Sequence, residues 1–105
     1  MRSARPNLPP PVAEALRKFG VGIKNLRVRR RIPMRYAADR ASISRSTLHK
    51  VERGDPGVSL GIYAAVLQGY GLLERLEGVV DARWDRAGLA VEASLLPRRI
   101  RKSAI

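Results

Sequence analysis

Residues 34–53, MRYAADRASISRSTLHKVER, constrain the fold more than any other stretch of the chain. Two short helical periodicities flank a tight polar break at Ser42. In the second, Leu48 and Val51 fall one turn apart and share a face, whereas Ser46, His49, Lys50 and Arg53 lie on the far side with Arg45 on its flank. Ser44 is placed to cap this helix by accepting a hydrogen bond from an amide two or three residues on, and Gly54 is placed to end it. A helix this short does not hold itself together in water. It must therefore be pinned by neighbours through Leu48 and Val51, which leaves a cationic, hydroxylated surface facing outward.

The neighbours are legible on both sides. Val12, Leu16, Phe19, Ile23 and Leu26 recur at alternating steps of four and three, which predicts a first helix with one apolar stripe. Gly20 and Gly22 weaken that helix and suggest a kink or break near them. Arg27, Arg29, Arg30 and Arg31 close it with positive charge at the negative end of its dipole. Pro33 starts a second helix at about 34–41, whose Ala37, Ala38 and Ala41 permit a close helix approach, and Ile43 plugs the corner after it. Ser42 stands where glycine is easier if the backbone is left-handed, so it either takes modest strain or the turn differs slightly.

Beyond the loop GDPGV, Ser59 is placed to cap a fourth helix with Ile62, Tyr63, Val66, Leu67 and Tyr70 on its apolar face and Gly71 at its end. A fifth, over 72–80, carries Leu73, Leu76 and Val80 on one side. Five helices and no strand pattern predict an all-α domain over residues 12–80. Residues 1–11, MRSARPNLPPP, read as a flexible basic arm, because the prolines cannot continue a helix ladder. Residues 81–105 form a C-terminal extension in which Asp85 is placed to cap a short helix bearing Leu89, Ala93 and Leu96.

Charge is distributed unevenly. The chain of 105 residues has a formal charge of +12, of which residues 1–53 hold net +11, residues 54–96 net −3 and residues 97–105 net +4. The excess sits in the half that contains the cationic helix, as expected of an electrostatic footprint for nucleic acid. The major groove of duplex DNA admits one helix, where Arg, Lys, Ser and Thr read base edges or hold phosphates. Arg45 and Lys50 have two readings, base contact or phosphate neutralisation, and Lys50 is the poorer bidentate donor. Ser46 reads as a base or phosphate contact or as a neutral filler. Arg31 reads as a phosphate contact or as part of a solvated run. His49, the single histidine, has no companions for acid–base or metal chemistry, which leaves a DNA-surface or solvent role.

Other classes lack their signatures. The chain has no cysteine, no phosphate-cradling glycine loop, no Ser/His/Asp order and no histidine–carboxylate cluster. No enzyme activity, metal or cofactor is expected. No apolar run approaches the roughly 18 residues of a membrane span, and the N-terminus lacks the apolar core of a signal peptide, so a soluble cytoplasmic protein is expected.

The segments IKNLRVRRR and AADRASISRSTLHKVERGDPGVSLGIYAAVLQGYGL resemble the Cro/C1-type helix-turn-helix regulators, the XRE family, over about residues 15–80. Within that family SRSTLHKVERGDPGVSLGIYAAVL looks most like HipB-type antitoxins. The resemblance implies a five-helix, lambda repressor-like domain in which the third helix reads DNA. It places the polar first residue of that helix on Ser44 and base-reading side chains on Arg45, Ser46 and Lys50, with His49 between them and Arg53 on the same surface. It places the family's turn glycine at Ser42, a departure, and pairs Arg27 late in the first helix with Glu52 near the end of the third.

The resemblance implies a bacterial, nucleoid-associated repressor that binds a double-stranded DNA operator as a homodimer, through helix 5 and the apolar middle segment. HipB-type antitoxins autoregulate their promoter and bind a HipA-like serine/threonine kinase toxin through a C-terminal extension, so Trp84, Leu89 and Leu96 become candidates for partner or dimer contact. A stand-alone phage-type repressor without a toxin partner is the alternative.

Overall fold

The structure, a computed structural model, describes residues 7–103, with side chains to residue 95. Residues 1–6 of the basic arm, and the side chain of Leu96, lie outside the described residues. The elements are α1 (Pro10–Arg29), α2 (Met34–Ala41), α3 (Arg45–Glu52), α4 (Leu60–Gly69), α5 (Leu73–Gly78), a 3-10 turn (Ala82–Trp84) and α6 (Arg86–Ser103). No strand occurs among the described residues. The contacts divide the chain after Leu73 into two units.

In the first unit α1 packs on α3, and α2 packs on both α3 and α4. Leu48 and Val51 of α3 are wholly buried, 0% exposed, among Ile23 of α1, Ala37, Ala38 and Ala41 of α2, and Tyr63, Val66 and Tyr70 at α4. The alanines let α2 lie close to both neighbours, so three short helices share one centre that none could build alone. Phe19 adds a tilted ring contact to Tyr63 at 5.8 Å, tying α1 to α4.

Four helices in this unit end in the same way. After α1, α2, α3 and α4 one residue takes the left-handed conformation: Arg31, Ser42, Gly54 and Gly71, with φ of 56°, 58°, 70° and 76°. In each case its amide and the next one bond back into the last turn, as in Ile32 N to Arg27 O at 3.1 Å and Ile43 N to Ala38 O at 3.0 Å. These are Schellman ends, which satisfy carbonyls the helix leaves open. Gly54 and Gly71 stop their helices where the sequence placed the stops; Arg31 and Ser42 do the same work without glycine.

Several expectations need correction. Helix α1 starts at Pro10 rather than Val12, because prolines fit a first helical turn where the amide has no intrahelical partner. It ends at Arg29, with Arg31 beyond it in the turn. It also runs unbroken through Gly20 and Gly22. Gly20 is a packing glycine: a Cβ there would lie 2.8 Å from the carbonyl oxygens of Val51 and Glu52. Helix α5 is shorter than 72–80 and buries no side chain; Val80 lies beyond its end and is exposed.

In the second unit the extension forms more helix than expected. Asp81 accepts a hydrogen bond from Arg83 N at 2.9 Å and starts the 3-10 turn, with Arg83 stacked 5.8 Å from the centre of the Trp84 ring. Asp85 Oδ1 accepts from Gly88 N at 2.9 Å and caps α6, which continues past Leu96 and through Pro97 to Ser103.

Candidate nucleic-acid interface

The outward side of α3 is built from its inward side. Leu48, Val51 and Glu52 are buried and Thr47 is half-buried, which leaves Ser46, Lys50 and Arg53 on one exposed ridge and Arg45 and His49 on the next. Ser44 Oγ accepts from Thr47 N at 3.1 Å and donates to Thr47 Oγ1 at 2.9 Å, so its hydroxyl fixes the start of the helix and its proton is already engaged. The exposed Ser46 hydroxyl lies 3.3 Å from Ser44 Oγ and, with the Ser44 proton engaged by Thr47, is the donor of that pair.

The arginine run at the end of α1 is divided among different tasks. Arg27 Nε and Nη2 donate to Glu52 Oε2 and Oε1 at 2.7 and 3.2 Å, a forked pair, while Nη1 donates to Ile32 O at 3.2 Å. The side chains of Arg27 and Glu52 are only 13% and 5% exposed. The hydrogen bond that Arg27 donates to Glu52 pushes the guanidinium pKa up from its ordinary value. Arg30 donates from Nη1 to Tyr70 O at 3.0 Å and lies 5.7 Å from the centre of that ring, clamping the end of α1 to the end of α4. Arg31 is exposed in the turn before α2.

Two features lie outside the sequence reading. Arg35 and Tyr36 are exposed at the start of α2, with the guanidinium 5.1 Å from the ring centre, and add a cation and a phenol to the helix-turn-helix surface. Their signal was the absence of any apolar role for Tyr36 in the α2 pattern. Tyr63 donates its hydroxyl to Asp55 O at 2.8 Å and anchors the loop that follows α3. No periodicity marks that bond, which joins residues brought together by the fold.

Burial raises the pKa of both Tyr63 and Tyr70; Asp55 adds to the rise at Tyr63 and Glu52 at Tyr70, where Arg27, Arg40 and Arg30 oppose it. The buried Tyr70 hydroxyl has no hydrogen-bond partner among the described residues. Among those residues no group of three His, Cys, Asp or Glu side chains gathers for a metal, and no helix is long and apolar enough to cross a membrane.

A short helix held by two buried aliphatic side chains, with cations and a hydroxyl outward and a tight left-handed turn before it, is a helix-turn-helix unit. A family model described as a helix-turn-helix domain matches residues 18–77, and the chain belongs to that family. The all-α architecture is the one expected of a Cro/C1-like DNA-binding regulator. Comparisons with curated proteins and with solved structures returned no match.

Proposed function

We propose that the protein is a sequence-specific transcriptional repressor that inserts α3 into the major groove of its operator, as a homodimer on a palindromic site. The reading is carried by the exposed ridges of α3 over the wholly buried Leu48 and Val51, in the half of the chain that holds net +11. Arg45, Ser46 and Lys50 reach base edges, His49 and Arg53 flank them, Ser44 sets the helix start and Arg31 holds phosphate.

Fluorescence anisotropy with the protein's own promoter region and a random duplex tests this. Specific binding tighter by about a thousandfold or more is expected at physiological salt. Equal affinity for the two duplexes would overturn it. Arg45→Ala removes discrimination at one base position, roughly 1–3 kcal/mol, with little loss on random DNA. Arg31→Ala weakens binding to all sequences and lowers the salt slope by about one unit. Equal losses on both duplexes for Arg45→Ala would count against base readout.

The finer reading is a HipB-like antitoxin that represses its own promoter and binds a HipA-like serine/threonine kinase. It is supported by the resemblance over residues 44–67 and by Trp84, which is 72% exposed in a unit separate from α3. Co-purification with the product of the adjacent gene, lost in Trp84→Ala, is the expected result; a purified protein with no kinase attached at native expression sinks it.

A further inference from the structure

The outward surface of α3 is rich in groups that can only donate. Arg45, Lys50 and Arg53 carry no acceptor, so against a base edge they match guanine O6 and N7, thymine O4 or adenine N7. Cytosine offers the major groove only an amine, and adenine offers an amine beside its N7. A donor can take neither amine. Ser46, exposed in the first turn of α3, lies among these cations, and a hydroxyl can face a groove with its proton or with its lone pairs.

The hydrogen bonds at the start of the helix decide which. Ser44 Oγ accepts from Thr47 N at 3.1 Å and gives its single proton to Thr47 Oγ1 at 2.9 Å. The contact between Ser46 Oγ and Ser44 Oγ, at 3.3 Å, then has one polarity open to it, with Ser46 as donor. Ser44 thereby uses its proton and both lone pairs, and each bond in the chain from Ser46 through Ser44 to Thr47 polarises the next. Turning the Ser46 proton outward would leave two oxygen atoms facing each other with no hydrogen between them. Water at a free surface can repair that loss; a groove that excludes water cannot. What Ser46 presents to a groove is its lone pairs.

We propose that Ser46 reads DNA as an acceptor, taking the exocyclic amine at adenine N6 or cytosine N4, and that Ser44 is the positioning residue that fixes this polarity. This rests on α3 being the helix in the groove and adds to that reading the chemistry of one contact. An outward lone pair repels a phosphate oxygen, so the backbone is the wrong partner for Ser46, and guanine O6 or thymine O4 at the same place is rejected for the same reason. The neighbouring cations supply the complementary half. Arg45 and Lys50 donate to guanine while Ser46 accepts from an amine, and the surface separates bases that either kind of group alone would confuse.

Full-length protein is used to select preferred duplexes from a randomised library, and the position whose preference disappears in Ser46→Ala marks the contact. Because every amine on one strand faces a keto oxygen on the other, the group that is read is identified by atom replacement in the selected duplex, with affinities from fluorescence anisotropy. Purine in place of adenine, or pyrimidin-2-one in place of cytosine, removes the amine; 7-deazapurines remove N7, and 2-aminopurine or 5-methylpyrimidin-2-one removes the keto oxygen of guanine or thymine. Removing the amine is expected to weaken binding of the unsubstituted protein by roughly fivefold more than that of Ser46→Ala. Removing N7 or the keto oxygen is expected to affect the two proteins equally. A loss that follows N7 or the keto oxygen and vanishes in Ser46→Ala would show Ser46 donating and overturn the proposal.

The role of Ser44 is read in the same assay. Glycine is tolerated at an N-cap, so Ser44→Gly still forms the helix but leaves no oxygen to hold the Ser46 proton. The amine effect is expected to shrink to within about twofold in Ser44→Gly and to return in Ser44→Thr, which restores both the hydroxyl and the cap. A Ser44→Gly protein that binds all duplexes more weakly by one factor, with the amine effect intact, would make Ser44 a structural cap only and overturn its assignment. A selected preference that Ser46→Ala alters at no position refutes the Ser46 contact while leaving α3 as the reading helix. Recovery of no preferred duplex refutes both.

Discussion

At the scale of single residues, the helix-turn-helix geometry rests on side chains that do not touch DNA. Ser42 occupies the left-handed position between α2 and α3 with φ 58° and ψ 41°. A side chain there is strained, and glycine relieves the strain at some cost in unfolded-state entropy. Ser42→Gly is expected to raise stability by about 0.5–1 kcal/mol in urea unfolding, with the slope unchanged. The Arg27–Glu52 pair joins α1 to the end of α3 with both partners largely removed from solvent. Glu52→Ala leaves the guanidinium unpaired and is expected to cost about 3 kcal/mol. A loss below 1 kcal/mol in the same denaturation assay would show the pair to be surface-like. No local pattern joins these residues, which lie 25 apart in the chain; the resemblance to the Cro/C1-type regulators is what paired them, and the structure brings them together.

At the scale of elements, α1 and α3 approach closely because Gly20 presents no Cβ to the carbonyls of Val51 and Glu52. Gly22, two residues on, has nothing within 4 Å of where a Cβ would stand. The two glycines therefore respond in opposite directions. Gly22→Ala is expected to stabilise α1 by about 1 kcal/mol through helix propensity. Gly20→Ala must push the helices apart and is expected to cost about 1–3 kcal/mol. Thermal melts of the two variants check the sign of each. Sequence reasoning treated both glycines as weaknesses of one helix, because propensity is a local property and the α3 backbone that Gly20 faces is supplied by the fold. The Schellman ends teach the same lesson: Gly54 and Gly71 announce theirs, whereas Arg31 and Ser42 are held left-handed by the elements that follow them.

At the scale of the whole molecule, the first unit is held by a small apolar centre in which Tyr63 and Tyr70 are buried. The folded-state pKa values of Tyr63 and Tyr70 are raised above the ordinary 10.0. For groups shifted upward, the associated stability is fully present below the unfolded value and is lost as pH rises through the folded values. Stability is therefore expected to fall from about pH 10 upward, measured as the urea midpoint against pH. Tyr70→Phe is expected to reduce that loss without destabilising the neutral protein, because the hydroxyl it removes has no partner among the described residues. A Tyr70→Phe protein with the same alkaline profile would assign the loss to other groups.

The sequence by itself determined the all-α class, the α2–turn–α3 unit, the inward Leu48 and Val51 and the outward Arg45, Ser46, His49, Lys50 and Arg53. These follow from a period of 3.6 residues, from caps and from charge, all of which are local. Only the tertiary structure decided that Gly20 is a contact and that Arg30, rather than its neighbours in the arginine run, clamps Tyr70. These depend on which backbones and charges meet across long separations, and no local pattern encodes that meeting.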